Sequence, residues 1–205
     1  MEYSSLILLD LPKTTPMDDF KMLIRREGKF DIPETELDML LDNMEESYIP
    51  AKTNVIEVGK INTNVYLIKE GIFRVSYLSG DREVTYGFGE AGSFFLSPHS
   101  FYMNKPAFMQ VDTCKTGGVV MHMTRDRFYT LMNSSHVFAQ WMFDIAMYQI
   151  FGCEFKISMI NGTAKERYLS MIKNRPEVLR YISKKNIASY LDVTPEYLSR
   201  ISVDV

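Results

Sequence analysis

The stretch KNIASYLDVTPEYLSR, residues 185–200, reads as two short helices meeting at a sharp corner. Ile187, Ala188 and Leu191 give the first helix one apolar face, and Ala188 is small enough for a second helix to cross close above it. Asp192 falls at the corner, which calls for a left-handed backbone; after glycine, Asn and Asp tolerate that conformation best. Val193 buries the corner. Thr194 then offers a side-chain N-cap, and Pro195 takes the first helical position, where its missing N–H costs nothing. With Leu198 and Ile201 turned inward, these residues predict a helix-turn-helix.

That geometry turns Glu196, Tyr197, Ser199 and Arg200 outward on the second helix. Arg can hold guanine O6 and N7 with two hydrogen bonds, Glu can accept from cytosine N4, and Ser can reach a base edge or a phosphate. Lys184 and Lys185, with the free amides at the Thr194 end, suit phosphate contacts that set register. A plainer reading also fits: Glu and Arg four residues apart commonly pair with each other on a solvated helix face.

Working upstream, TAKERYLSMIKN predicts an amphipathic helix ending near Asn174, followed by a turn at Pro176 and a helix or extended piece carrying Val178, Leu179 and Ile182. Before it, residues 136–160 form a long proline-free run, HVFAQWMFDIAMYQIFGCEFKISMI. Phe138, Trp141, Ile145, Tyr148, Gly152, Phe155 and Met159 recur at alternating spacings of three and four, one seam of a helix. Ala139, Met142, Ala146 and Cys153 form a second stripe. A helix this apolar needs cover on more than one side. It is either a core helix of one domain or a dimerisation helix; the first seam is assigned to the dimer interface, with Gly152 allowing close backbone approach.

From Ile49 to about Met123 the period falls to two, in short runs such as NVYLIKEGIFRVSYL and GGVVMHMT punctuated by glycines. No helix-length segment separates these runs, so an antiparallel sandwich or jelly roll is expected rather than a parallel sheet. TRDRFYTLM reads as a short helix after them. Up to about Tyr48 the pattern is helical, with a short helix opening at Pro33 and Glu34 behind Asp31 as cap.

The chain has 205 residues, 46 % of them hydrophobic, enough for one large or two small domains. No run of about 18 apolar residues predicts a membrane span. Met1–Asp10 lacks a basic start and a cleavage pattern, so no signal peptide is expected. Cys114 and Cys153 are the only cysteines, and a reducing cytoplasm fits them. Net charge is −3, yet residues 163–205 hold eight Lys or Arg against five Asp or Glu; that excess of +3 leaves −6 for residues 1–162. A basic tail on an acidic body suits a local nucleic-acid footprint.

Enzyme chemistry finds little purchase. A metal-dependent jelly roll needs about two or three His and a Glu at close spacing. His99, His122 and His136 are isolated, and GFGEAG (87–92) matches a nucleotide-loop spacing in the wrong, all-β context. No catalytic residue, metal or cofactor is expected.

IASYLDVTPEYLSRI resembles the helix-turn-helix of the cyclic-AMP receptor protein and fumarate–nitrate regulator (CRP/FNR) superfamily, whose pattern is typically I-A-x-x-L-G-[VIL]-[ST]-x-E-[TY]-[LIV]-S-R-[IL]. NVYLIKEGIFRVSYLSGDREVTYGFGEAGSF resembles its β-roll, with a Y-x-I-x-x-G-x-x-R-V core at Tyr66–Val75. The resemblance covers about residues 31–201. It implies an α+β fold: a helical N-terminal extension (1–30), a double-stranded β-helix of jelly-roll, cyclic-nucleotide-binding-like type (31–132), a dimerisation helix (133–162) and a helix-turn-helix domain (163–205). It also implies a cytoplasmic homodimer on palindromic double-stranded DNA, with RNA polymerase and an unidentified small-molecule effector as further partners. The family's base-reading Glu and Arg fall on Glu196 and Arg200, and Ser199 matches the Ser of the fumarate–nitrate type, which implies a half-site containing TGA.

Three departures accompany it. In GEAGSFFLSPHSFYMNKPAFMQ (89–110), the region of the family's cyclic-phosphate cassette, Gly89 and Glu90 come too early and no Arg is present. Lys105 is the only cation there, and Lys does not replace a bidentate clamp; cyclic AMP is therefore not expected as the effector. The family's iron–sulfur cysteine cluster is missing too, and Asp192 stands where the turn glycine is usual. Asp204 lies where a basic run would grip phosphates. An alternative expectation follows, a ligand- or protein-binding dimer that has lost DNA binding.

Overall fold

β3 (Val65–Glu70) shows how the architecture is built, because its first four residues are all buried. Val65 and Leu67 pack among helices, while Tyr66 and Ile68 pack against a second sheet. A strand covered on both faces reads as a continuous apolar run instead of an alternation. The computed structural model describes residues 17–160 and 162–201, without the side chains of 18, 155, 158–160 and 177.

Two helices, α1 (Met17–Arg25) and α2 (Glu34–Asp42), precede the strands. β1 (Glu45–Ile49), β8 (Gly118–Met123), β3 and β6 (Phe94–Phe95) form sheet A in that order. β2 (Asn54–Ile56), β7 (Met109–Thr113), β4 (Phe73–Ser79) and β5 (Arg82–Gly89) form sheet B. Every pairing is antiparallel, as the short glycine-punctuated runs predict. Between the sheets lie Ile56, Tyr66, Ile68, Phe73, Val111 and Val120.

The outer face of sheet A carries Val65, Leu67, Phe94, Met121 and Met123 into a second core with Phe20, Ile24, Leu37, Leu40, Phe128 and Trp141. α1, α2, α4 (Arg125–Ser134) and the start of α5 (His136–Ile160) supply that cover. Gly92 seats α1: with φ +94 it turns the chain before β6, and a Cβ there would stand 2.7 Å from the Leu23 backbone. Four local expectations shift. β1 begins at Glu45, so the helical preface ends at Asp42. Pro33, not Asp31, flanks the start of α2 and makes no side-chain cap. The division drawn at residues 132/133 falls inside α4. A helix unmarked by periodicity, α3 (Pro98–Met103), occurs in the β region, capped by Ser97, whose Oγ accepts from the Ser100 amide.

The long helix matches the expected 136–160, but its predicted seam divides. Phe138, Trp141 and Ile145 are at most 2 % exposed, sealed in the chain's own core, and Trp141 meets Phe94 edge to face at 5.8 Å. They offer no surface to a partner, which corrects their assignment to a dimer interface. Tyr148 and Gly152 are exposed. Phe155 and Met159 fall outside the described side chains. Phe143, Met147, Ile150 and Ile157 are also exposed, at spacings of four, three and seven.

Beyond α5 come α6 (Ala164–Asn174), α7 (Pro176–Tyr181), α8 (Lys184–Tyr190) and α9 (Pro195–Ile201). Thr163 and Glu166 form a reciprocal capping box at the start of α6. Met171, Val178, Ile182, Ile187, Leu198 and Ile201 make a third core, which Ile72, Phe88 and Cys114 of the sheet region join.

Candidate nucleic-acid interface

α8 starts where the Ser183 hydroxyl accepts from the Asn186 amide at 3.2 Å, and it buries Ile187 and Ala188. At the corner Asp192 has φ 51, the left-handed conformation inferred from its position. The Val193 amide returns to the Ala188 carbonyl at 2.9 Å, closing the turn. Thr194 Oγ1 accepts from the Tyr197 amide at 3.2 Å, and Pro195 is the first residue of α9. Arg167 of α6 donates to the Leu191 carbonyl at 2.8 Å, tying α6 to the corner.

Of the residues singled out for DNA, Lys184, Lys185, Thr194, Glu196, Tyr197 and Arg200 are exposed and share the α8 start and the α9 surface. Ser199 is half-buried, its hydroxyl donating to the Pro195 carbonyl at 2.9 Å. Arg200 lies over the Tyr197 ring at 5.3 Å. Among the described residues no Glu196–Arg200 ion pair forms, so the plainer pairing does not account for these two side chains.

Sequence reading missed what lies behind this surface. α8 packs on the outer face of sheet B, where alternation brings up Arg74, Ser76, Gln110 and Asp112. Arg74 holds Asp112 with two nitrogens, the shorter contact 2.7 Å; it also pairs with Glu83 and reaches Asn186 of α8 at 3.4 Å. Burial works against the Arg74 charge, but the two carboxylates outweigh it and hold the guanidinium above its ordinary value. The Thr85 amide donates to Ser189 Oγ at 2.9 Å, Arg175 donates to the Phe88 carbonyl at 2.9 Å, and Arg82 reaches Asp192 at 3.4 Å. Ser76 and Thr85 face each other across β4 and β5, fully buried, their hydroxyls without partners among the described residues. Beside them a cleft of about 700 Å³ is lined by Arg74, Arg82, Lys185, Asn186, Ser189 and Thr194, among others. The signal was present in the alternation of β4, RVS, where Arg74 and Ser76 flank an inward Val75.

The histidines are used locally. His122 lies 2.9 Å from Ser47 Oγ, and His99 Nδ1 lies 2.6 Å from the Pro106 carbonyl while its ring stacks on Phe108. Among the described residues no group of His, Cys, Asp or Glu is arranged to hold a metal ion, and no helix is long and apolar enough to cross a membrane.

No protein-family model matches the chain, and no curated protein matches it. Solved structures do. The c-di-GMP-responsive global regulator CLP of Xanthomonas campestris is 15 % identical, with a TM-score of 0.63 over 84 % of this chain and 91 % of that one. FixK2 of Bradyrhizobium japonicum is 16 % identical, with a TM-score of 0.67 over 78 % and 83 %. A cyclic nucleotide-binding domain of Methylobacillus flagellatus is 16 % identical, with a TM-score of 0.58 over 69 % and 79 %. These neighbours include CRP/FNR regulators, and the chain shares their fold over most of its length: a cyclic-nucleotide-binding-like β-sandwich with helices, of α+β class.

Proposed function

We propose that the chain is a DNA-binding transcriptional regulator that works as a homodimer in the cytoplasm. The observation that carries this reading is the α8–α9 pair. A left-handed Asp192, a Thr194 cap and Pro195 present Glu196, Tyr197 and Arg200 together on one exposed helix surface, beside Lys184 and Lys185. Arg200 and Glu196 suit base edges, and the lysines suit phosphates. α8 and α9 then act as a helix-turn-helix on a palindromic operator, with half-sites about 34 Å apart.

The far part of α5 supports the dimer. Phe143, Met147, Ile150, Glu154 and Ile157 follow a heptad-like spacing on an exposed face, and four of the five are large and apolar. The interface proposed here runs along that stripe with Tyr148 and Gly152 beside it. In the roll, Tyr66 stacks on Phe95 at 4.8 Å, Phe73 follows at 5.8 Å, and Lys105 is exposed on the surface. An interior filled by rings and lacking an Arg clamp supports an effector other than cyclic AMP, and RNA polymerase is the natural downstream partner. Neighbour names such as the c-di-GMP-responsive CLP agree with a regulator that senses a small molecule.

The test is a gel-shift titration against a randomised duplex pool at low salt. Sequence-selective binding by the wild type and its loss in Arg200→Ala are expected; no selective shift by the wild type overturns the reading. Light scattering at micromolar concentration is expected to give twice the chain mass of 23.8 kDa. Ile150→Glu is expected to weaken association at least about tenfold, the size of one interface hot spot.

A further inference from the structure

Phe30, in the connector between α1 and α2, is 42 % exposed although its backbone is held. One carboxylate oxygen of Asp144 on α5 accepts from the Lys29 amide at 2.5 Å and from the Phe30 amide at 2.8 Å. Gly28 leaves room for that oxygen, since a Cβ there would stand 2.5 Å from it. The held ring walls an open cup of about 470 Å³, and the rest of its lining belongs to α5: His136, Ala139, Gln140, Phe143 and Asp144.

Residues 136, 139, 140 and 143 stand at i, i+3, i+4 and i+7. These are the corners of the hole into which a facing helix sets one side chain in a left-handed helix pair. His136 and Gln140 also carry the stripe of Phe143, Met147, Ile150, Glu154 and Ile157 backward in the same alternation of four and three. At 3.6 residues per turn this stripe lies on the opposite side of α5 from the sealed Phe138, Trp141 and Ile145. The cup is therefore continuous with the exposed stripe proposed as the interface between copies.

We infer that the cup is the socket of a parallel, in-register α5 pair, that it receives Gln140 of a second copy, and that Phe30 joins the interface from outside the helix. The direction comes from the regulator reading, on which this pairing rests: two recognition helices on one operator must leave α5 at the same end. The hole is centred between residues 139 and 140. In a parallel, in-register pair the stripe residue at that height on the facing helix is Gln140 itself. A carboxamide both donates and accepts, so two copies related by a two-fold axis satisfy each other there. A buried polar residue at such a position holds register and strand number at some expense of stability. The methylenes of Gln140 then pack against the Phe30 and Phe143 rings, both exposed in the single chain.

The test uses the full chain carrying Cys153→Ser, which leaves the buried Cys114 as its remaining native thiol. Light scattering of the wild type comes first; a monomer overturns the socket together with the dimer reading. In the dimer, Gln140→Cys treated with glutathione disulfide is expected to form an interchain bond at least about tenfold faster than Asp126→Cys, exposed on α4. An antiparallel pair centred on Met147 would set residue 140 opposite residue 154 and part the two sulfurs by about 20 Å along the helices. Equal rates for Cys at 140 and 126 in a dimeric chain therefore overturn the socket and leave the dimer standing. Gln140→Glu sets two carboxylates in the cup and is expected to weaken association about tenfold, and Phe30→Ala about fivefold, with circular dichroism unchanged. A dissociation constant unmoved by either variant overturns the place given to that residue.

Discussion

Both sheets of the roll carry helices on their outer faces, and the two contacts differ in kind. On sheet A the contact is made by Val65, Leu67, Phe94 and Met121 against Trp141, Phe138 and the helices of the preface, all apolar and sealed. On sheet B it is made largely by Arg74, Asp112, Thr85, Asn186 and Ser189, with Phe88 and Ile72 as its apolar edge. Apolar burial is non-directional and is lost only when area is exposed. A polar contact exchanges hydrogen bonds with water at little net gain, and it leaves Ser76 and Thr85 unpaired at a cost of about 1–3 kcal/mol each. The lesson is that one face is held by non-directional apolar burial and the other by directional polar contacts with an apolar edge.

The sharpest way to break that contrast is on sheet A. Trp141→Ala is expected to lower global stability by about 3–5 kcal/mol in urea or thermal unfolding. A loss under about 1 kcal/mol there would mean that this face is no more permanent than the other. On sheet B, Arg74→Ala leaves Asp112 buried without its cation. It is expected to cost about 2 kcal/mol and to quicken amide exchange in α8 before the core strands respond.

Lys156, its amine 4.1 Å from the centre of the Tyr86 ring and 4.8 Å from that of Tyr190, supplies a pH test of the same junction. Its amine titrates near 8 in the folded chain and near 10.5 when exposed, so the unfolded chain holds more protons between those values. Stability from this group therefore rises as pH climbs from 8 to 10.5. Lys156→Met is expected to lack that rise; an unchanged pH profile would remove the buried amine from the account. Ser76→Ala combined with Thr85→Val is expected to stabilise by about 2 kcal/mol, since each change removes an unpaired hydroxyl. Arg82→Ala comes last, because its pair with Asp192 is exposed on both sides; an effect of no more than about 0.5 kcal/mol, erased by salt, is expected.

What was legible in the chain was local. Asp192, Thr194 and Pro195 specify a turn, a cap and a first helical position through their own backbone preferences, and the structure contains all three. The antiparallel roll followed from short period-two runs with nothing of helix length between them. α3 stayed hidden because six residues are too few for a period to emerge. The seam on α5 misled for another reason: spacing by three and four marks a face but not its partner. Phe138, Trp141 and Ile145 found the chain's own sheet, while Phe143, Met147 and Ile150 were left outside.

The sequence by itself determined the paired short helices α8 and α9, the antiparallel strands and the long helix, because each rests on hydrogen bonds and dihedral preferences within a few residues. Only the tertiary structure decided which stripe of α5 is sealed, that α8 lies on a polar sheet face, and that Lys156 stands between Tyr86 and Tyr190. Those three facts join residues about 35 to 110 positions apart, and no local preference reaches across a chain closure of that length.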